Sequence, residues 1–416
     1  MARRTHAGGA KKRPTLYAAF APKTERMVLA LRHHRHGRYE DACALYREEV
    51  AAAKDNVDAW MNLGTACVSL GLAQEARRSF AAATHVAEAN ARAARDVGIG
   101  LIAIGYLSEA RTELERALAL DANANGVRLV LARLCLDMGE RLTAQEHARE
   151  AVRRAPDNAS GHLELHRTLF DDTDIDASLP SVRRAVELDP SSSLARTHLA
   201  FALGRGRNPQ ECERVLNDAP QVIPPDAADA IRYALSANVR AFASKRETLL
   251  FGLGALAERG LAIELGVRHG ISTRVLAARL PVLHGFDSFE GLPETWVTRR
   301  PGAFSTSGEL PDLPPNVELH VGLFSESLPR FLATHAGPVR FLHVDSDLYS
   351  SARTALEHLA PRIGSGCVII FDEYLGHTNW REHEWKAFHE ACIAYQWRYE
   401  YLGISLLTGQ AVVRIL

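Results

Sequence analysis

Two carboxylates separated by one serine, Asp345 and Asp347, close the stretch FLHVDSD, and two consecutive ones, Asp372 and Glu373, close CVIIFDE 27 residues further on. Both pairs follow apolar runs that read as strands, as do Glu264 in LAIELG and Asp287 in VLHGFD. Carboxylates placed this way suit three kinds of chemistry. They can hold a hard dication through oxygen, take a proton from a hydroxyl, or accept both O–H groups of a diol through charge-assisted bonds. One acid at a strand end is commonly a helix cap, and DSD before the helical SARTALEHL carries that alternative reading. Six acids at successive strand ends exceed what solubility asks of a sequence.

The elements that must position these acids begin near Lys245. Helical RETLLFGLGALAERG precedes LAIELG, and short apolar runs then alternate with helical segments up to CVIIFDEY. That pattern predicts βαβ units and a parallel sheet covered on both faces. The closing WRYEYLGISLLTGQAVVRIL predicts an antiparallel hairpin around a Thr-Gly turn. In open sheets of this kind, ligands bind beyond the carboxyl ends of the strands, where the acids fall. The first turn, IELGVRHGIST, spaces Gly266 and Gly270 by three residues, which departs from the GxGxxG of dinucleotide binders.

The first half is built differently. Stepping 34 residues at a time carries Gly64 to Gly98 and Ala132, Gly71 to Gly105 and Gly139, and Ala76 to Ala110 and Ala144; a closing proline recurs at Pro156, Pro190 and Pro224. The register spans six units over residues 23–226 and resembles the tetratricopeptide repeat, an α-solenoid of paired helices with a concave groove. The fifth unit, with Thr173 at the turn glycine and DDTDIDASLP where a helix would start, is expected to be distorted. Residues 227–244 read as a capping helix, and residues 1–22 as a basic, disordered tail. The groove is expected to dock a protein partner, or else to serve self-association or packing against the second half of the chain.

FDSFEGLPE, GLFSESLP, HVDSDLYSS and IIFDEY, in this order, resemble the macrocin O-methyltransferase (TylF) family, class I enzymes that use S-adenosylmethionine (SAM) to methylate sugar hydroxyls. The resemblance covers residues 245–416 and implies a Rossmann-like α/β sandwich there. It implies cofactor contacts from Glu264, Gly266, Gly270, Ser272, Asp287 and Ser288, with Asp287 on the ribose. It further implies a magnesium ion held by Asp345, Asp372 and Glu373, and Asp347 as the base; Glu373 departs from the aspartate or asparagine usual at its position. Two other functions fit the same text: an interaction scaffold whose methyltransferase-like part no longer catalyses, and methylation of a protein or peptide delivered by the repeats.

Other features read as secondary. His377, His383 and His389, six apart, do not share a helix face, so they make no metal cluster, although His377 lies close enough to the acidic pair to touch a substrate. Trp380 and Trp385 read either as an apolar acceptor wall or as core, and loop 294–316 either as a lid or as a passive connection. Lys and Arg total 49 against 50 Asp and Glu, so no global field recommends nucleic acid. Six scattered cysteines without a CxxC pair, and no signal-like or membrane-spanning run, are the marks of a reduced, cytoplasmic protein.

Overall fold

The computed structural model describes residues 24–206, 208–218, 221–257 and 260–416. The basic N-terminal segment 1–22 lies outside them. Six antiparallel helix pairs come first: α1 (Glu25–Arg35) with α2 (Tyr39–Ala52), α3 (Val57–Leu70) with α4 (Ala73–Val86), α5 (Ala91–Ala103) with α6 (Leu107–Leu120), α7 (Asn125–Met138) with α8 (Arg141–Arg154), α9 (Ala159–Leu169) with α10 (Leu179–Leu188), and α11 (Ser193–Arg205) with α12 (Pro209–Asp218). The 34-residue spacing has a physical basis at two kinds of position, the turn of the first four units and the helix contact inside the pairs. Gly37, Gly71, Gly105 and Gly139 turn the chain between paired helices with φ of 74, 76, 82 and 85°, a conformation glycine adopts without strain. Inside the pairs, a Cβ on Gly64 would stand 2.5 Å from the Phe80 ring and one on Gly98 2.6 Å from Leu114, so the helices pack backbone to side chain.

The fifth pair is distorted as its sequence predicts. Asp171 Oδ1 accepts hydrogen bonds from the backbone N–H and hydroxyl of Thr173 at 2.9 and 2.7 Å, closing a turn that glycine makes elsewhere. A 3₁₀ turn, Ile175–Ala177, then takes up the first residues that α10 would otherwise use. Helix α13 (Pro225–Ala237) follows the last pair.

The second half is a Rossmann-like sandwich around one seven-stranded sheet. Its elements are α14 (Lys245–Gly254), β1 (Leu261–Leu265), α15 (Ile271–Ala277), β2 (Leu283–Asp287), β3 (Val317–Val321), α16 (Phe324–Thr334), β4 (Val339–Val344), α17 (Tyr349–Leu359), β5 (Ile363–Phe371), α18 (Glu384–Ala394), β6 (Tyr399–Ser405) and β7 (Gln410–Ile415). The strand order is β3-β2-β1-β4-β5-β7-β6, parallel through β5, with β6 and β7 forming the antiparallel hairpin. Order reverses between β1 and β4, and ligand clefts in such sheets form at that switch point. Strand alternation sends Ile263, Leu265, Leu342, Val344, Ile369 and Phe371 into the core shared with α16, α17 and α18. Ala262, Phe341, Val368 and Ile370 pack beneath α14 and α15.

The two halves share one buried core. Phe170 and Phe201 of the repeats belong to the same apolar cluster as Tyr374, Trp380 and Leu407 of the sandwich. Polar ties reinforce it: Arg141 pairs with Glu247, Arg381 with Asp229 at 2.7 Å, and Ser307 Oγ donates to the Leu70 carbonyl at 2.7 Å. Among the described residues no helix is long and apolar enough to cross a membrane.

Candidate functional site

Strand parity builds the base of the site. Glu264 of β1 pairs in register with His343 of β4, and both point toward α14, opposite to the core-facing Ile263, Leu265, Leu342 and Val344. Continuing the same parity past the strand ends brings Asp345 and Asp372 up on that side. Glu264 and His343 are both completely buried and joined at 3.1 Å, and His343 Nε2 stands 3.7 Å from Asp372 Oδ1. Burial alone would lower the His343 imidazole; Asp372 and Glu264 on either side outweigh it and hold it up to about 10, so it is a cation.

Above this pair sits an acidic cluster. Its members are Asp345, Asp347, Asp372, Glu373 and Glu384, and the ammonium of Lys245, at the start of α14, stands against two of them. Lys245 Nζ bonds Asp372 Oδ2 and lies 3.3 Å from Glu373 Oε1. Its side chain keeps 49 % of its accessibility because it faces a cavity, while Asp372 retains 5 %. Burial would raise Asp372, but Lys245 and His343 beside it hold it well below the usual carboxylate range. The remaining acids go the other way. Burial, then the Asp372 charge, pushes Asp345 well up; burial, then Glu373 and Asp372, brings Asp347 to about 7; Glu373 and Glu384 are raised chiefly by burial. Three cations, Lys245, His343 and Arg268, for the six carboxylates of Glu264, Asp345, Asp347, Asp372, Glu373 and Glu384 leave a deficit of positive charge. Glu384 does separate work: its two oxygens accept the backbone N–H groups of Ser346 at 3.3 Å and Glu373 at 3.2 Å, bracing both acidic loops.

Asp347 holds φ at 60°, a left-handed conformation uncommon for aspartate, and such outliers persist where the surroundings enforce them. Ser346 between the two acids is buried, and its hydroxyl has no hydrogen-bond partner. An orphaned hydroxyl at a cavity wall is what a ligand-binding surface leaves behind when viewed without its ligand.

The cofactor-side candidates divide. Gly266 has φ of 94°, and a Cβ there would stand 1.9 Å from the Asp345 carbonyl oxygen, so only glycine lets the first loop pass the end of β4. Asp287 Oδ2 accepts the backbone N–H groups of Val267 and Arg268 at 2.8 Å each, and Oδ1 accepts that of Phe289 at 2.7 Å. Its carboxylate fixes the first loop as well as facing the cavity. Gly266, Ser272, Asp287, Ser288, Asp345, Asp347, Asp372 and Glu373 all line one cavity of about 870 Å³. Two expectations need correction. Glu264 does not reach that cavity, because strand parity buries it against His343; it supports the site from beneath. Gly270 is also off the wall, and its φ of 73° shapes the start of α15.

Metal-capable donor atoms converge in two groups among the described residues. One is His343, Asp345 and Asp372, with Glu373 drawn aside onto Lys245, which differs from the expected Asp345, Asp372 and Glu373. The other, His284, Glu318 and His320 on β2 and β3, is accounted for by ring packing: His320 stacks on Phe286 at 4.5 Å, and His284 lies 4.7 Å from Phe331.

Trp380 and Trp385 belong to the core and its border: Trp380 is 1 % exposed and packs on Tyr233, and Trp385 stacks on His389 at 3.9 Å. His377 turns onto the Glu373 carbonyl at 3.0 Å and lies outside the cavity wall. The long loop 294–316 contributes Phe304 to the wall and is clamped to the repeats, with Glu309 accepting the Gln74 backbone N–H at 3.0 Å. Sequence reasoning missed Lys245, His343, Glu384 and the part of the wall supplied by the repeats. Lys245 left a signal: a cation in the first turn of a helix opposes the helix dipole and calls for a nearby anion.

Residues 263–374 match the model of a family described as a methyltransferase domain. No curated protein sequence matches the chain significantly. Similar solved structures include the calicheamicin methyltransferase CalS11, 21% identical over 53% of this chain and 91% of its own with a TM-score of 0.32. They also include YrrB, described as a tetratricopeptide repeat protein with an unusual peptide-binding site, at 15% identity over 45% and 97% with a TM-score of 0.37. A tetratricopeptide repeat protein from Parabacteroides merdae ATCC 43184 is 14% identical over 51% and 84%, with a TM-score of 0.43. The chain thus joins a tetratricopeptide-type solenoid to a methyltransferase domain.

Proposed function

We propose that the chain is a SAM-dependent O-methyltransferase that methylates a hydroxyl of a sugar or glycosylated small molecule, as the TylF resemblance implies. The observation that carries this reading is one cavity onto which the first glycine loop, the Asp287 carboxylate and the acidic cluster all open. SAM supplies an electrophilic methyl group. Gly266 and Ser272 line its end of the cavity with Asp287 and Ser288, and Asp287 is the acid for the ribose.

A sugar hydroxyl is a weak nucleophile, so its proton must leave as the oxygen is methylated. Asp347 is the acceptor of that proton: it lines the cavity, its strained backbone is fixed by its surroundings, and its pKa of about 7 suits a base near neutrality. The donor set fits a magnesium ion in chemistry, with hard carboxylate oxygens and a deficit of positive charge. Asp345 and Asp372 would hold the ion with Glu373 as third donor, Lys245 giving up its place between the last two. Bound there, the ion would polarise the acceptor hydroxyl and favour its ionised form.

Turnover on a panel of sugar acceptors tests the assignment. Asp347→Asn should lower kcat about 10²- to 10⁴-fold with SAM binding retained, and a chelator should reduce turnover in the wild type. Turnover that survives both treatments would remove the roles given to Asp347 and to the metal.

A further inference from the structure

We propose that the concave face of the repeats is the acceptor-binding wall of the methyltransferase site, and that its occupant is a small hydroxylated molecule with an apolar body rather than a peptide. The inference rests on the methyl-transfer reading and gives its acceptor a chemical class.

The cavity holding the acids is not enclosed by the sandwich alone. Its opposite wall is made by the first helices of the third, fourth and fifth pairs, α5, α7 and α9. Ile102, Leu129, Val130 and Leu134 of the repeats and Ile271 and Val275 of α15 supply its apolar lining. The polar part of that wall is Asp137, Ser160 and an ion pair, Arg133 with Glu164, in which Arg133 Nε lies 3.0 Å from Glu164 Oε2. A volume of about 870 Å³ is at the upper end of the range of about 300–1,000 Å³ for single small-molecule sites. The loop that starts at Gly266 shares this volume with the acids and the repeat side chains, and the proposed acceptor occupies the part between Asp347 and the repeats.

Contacts at the inter-helix turns seat the sandwich directly on the repeats. The turn at Gly71 sits against Ser305 of the long loop, the turn at Gly105 against His269 and Ile271, and the turn at Gly139 against Arg246. The chain's own second half therefore lies against the solenoid at three successive turns. The cavity between them takes apolar side chains and the Arg133–Glu164 pair from the repeats and its acidic cluster from the strand ends of the sheet. A ligand matched to it has an apolar body against α7 and a hydroxyl at Asp347, as an aryl glycoside does.

The test uses the full chain loaded with S-adenosylhomocysteine and titrated with a panel of 4-nitrophenyl glycosides. The wild type should bind members of the panel. Val130→Trp, which fills the repeat side of the chamber, should weaken that binding at least tenfold, and Leu129→Ala, a gentler change, several-fold. Affinity for S-adenosylhomocysteine should stay within twofold in both, which also verifies that each variant is folded. Glycoside binding that both variants retain unchanged would overturn the proposal, as would a wild type that binds S-adenosylhomocysteine but no glycoside. A pool of random hexapeptides that binds in place of the glycosides, and is weakened by the same substitutions, would overturn it in favour of a peptide acceptor. Failure of the wild type to bind S-adenosylhomocysteine would instead overturn the methyl-transfer reading beneath it.

Discussion

The buried line from Glu264 through His343 to Asp372 is the residue-scale foundation of the site. A buried ion pair adds little net stability as a pair, but removing one member strands the other in a low dielectric. Glu264→Ala should therefore cost about 3–5 kcal/mol in chemical denaturation; a loss under about 1 kcal/mol would show that His343 does not depend on Glu264. The acids at the strand ends were legible because carboxylates after apolar runs have few structural excuses. Their division of labour was less so. Glu264 reads as an acid in the first strand, but its neighbours in sequence do not tell which face it takes; it falls within β1 on the face that parity turns away from the cavity, toward a histidine 79 residues away in the chain. Lys245 could have been noticed as a misplaced charge at a helix start, but nothing local names Asp372 and Glu373 as its partners.

At the scale of elements, the repeats show how periodic packing reveals itself. Turn glycines and small residues recur because paired helices need the same close approach in every unit, so both the period and the distorted fifth pair could be read directly. That fifth pair carries a titratable seam. His166 of α9 and His198 of α11 stand 5.4 Å apart, both buried, with His166 against the Phe170 ring. Burial lowers His166 from 6.5 to about 4 and holds His198 well below its usual value. A depressed imidazole binds its proton only on unfolding, so its stabilisation is complete above pH 6.5 and is lost as pH falls toward 4. For His166 alone the loss at pH 4 is about 3 kcal/mol. His166→Phe should flatten the acid limb of a stability–pH curve measured by urea denaturation; an unchanged limb would contradict a neutral buried histidine.

At the scale of the whole molecule, the solenoid and the sandwich are joined by a common core and by contacts between residues far apart in sequence, such as Ser307 with Leu70 and Arg381 with Asp229. Such contacts have no period and no motif, which is why sequence reasoning found both halves and left their arrangement open. Scanning calorimetry should show one cooperative unfolding transition for the full chain, because a shared apolar core couples the halves; two separated transitions would mean that the repeats and the sandwich unfold independently. The central claim, that the cavity beyond β1 and β2 binds SAM, is tested most directly by calorimetric titration of S-adenosylhomocysteine into the wild type and into Gly266→Ala, whose added Cβ collides with the Asp345 carbonyl. Saturable one-site binding that the substitution abolishes is the expected result, and a wild type that shows no binding would contradict the account.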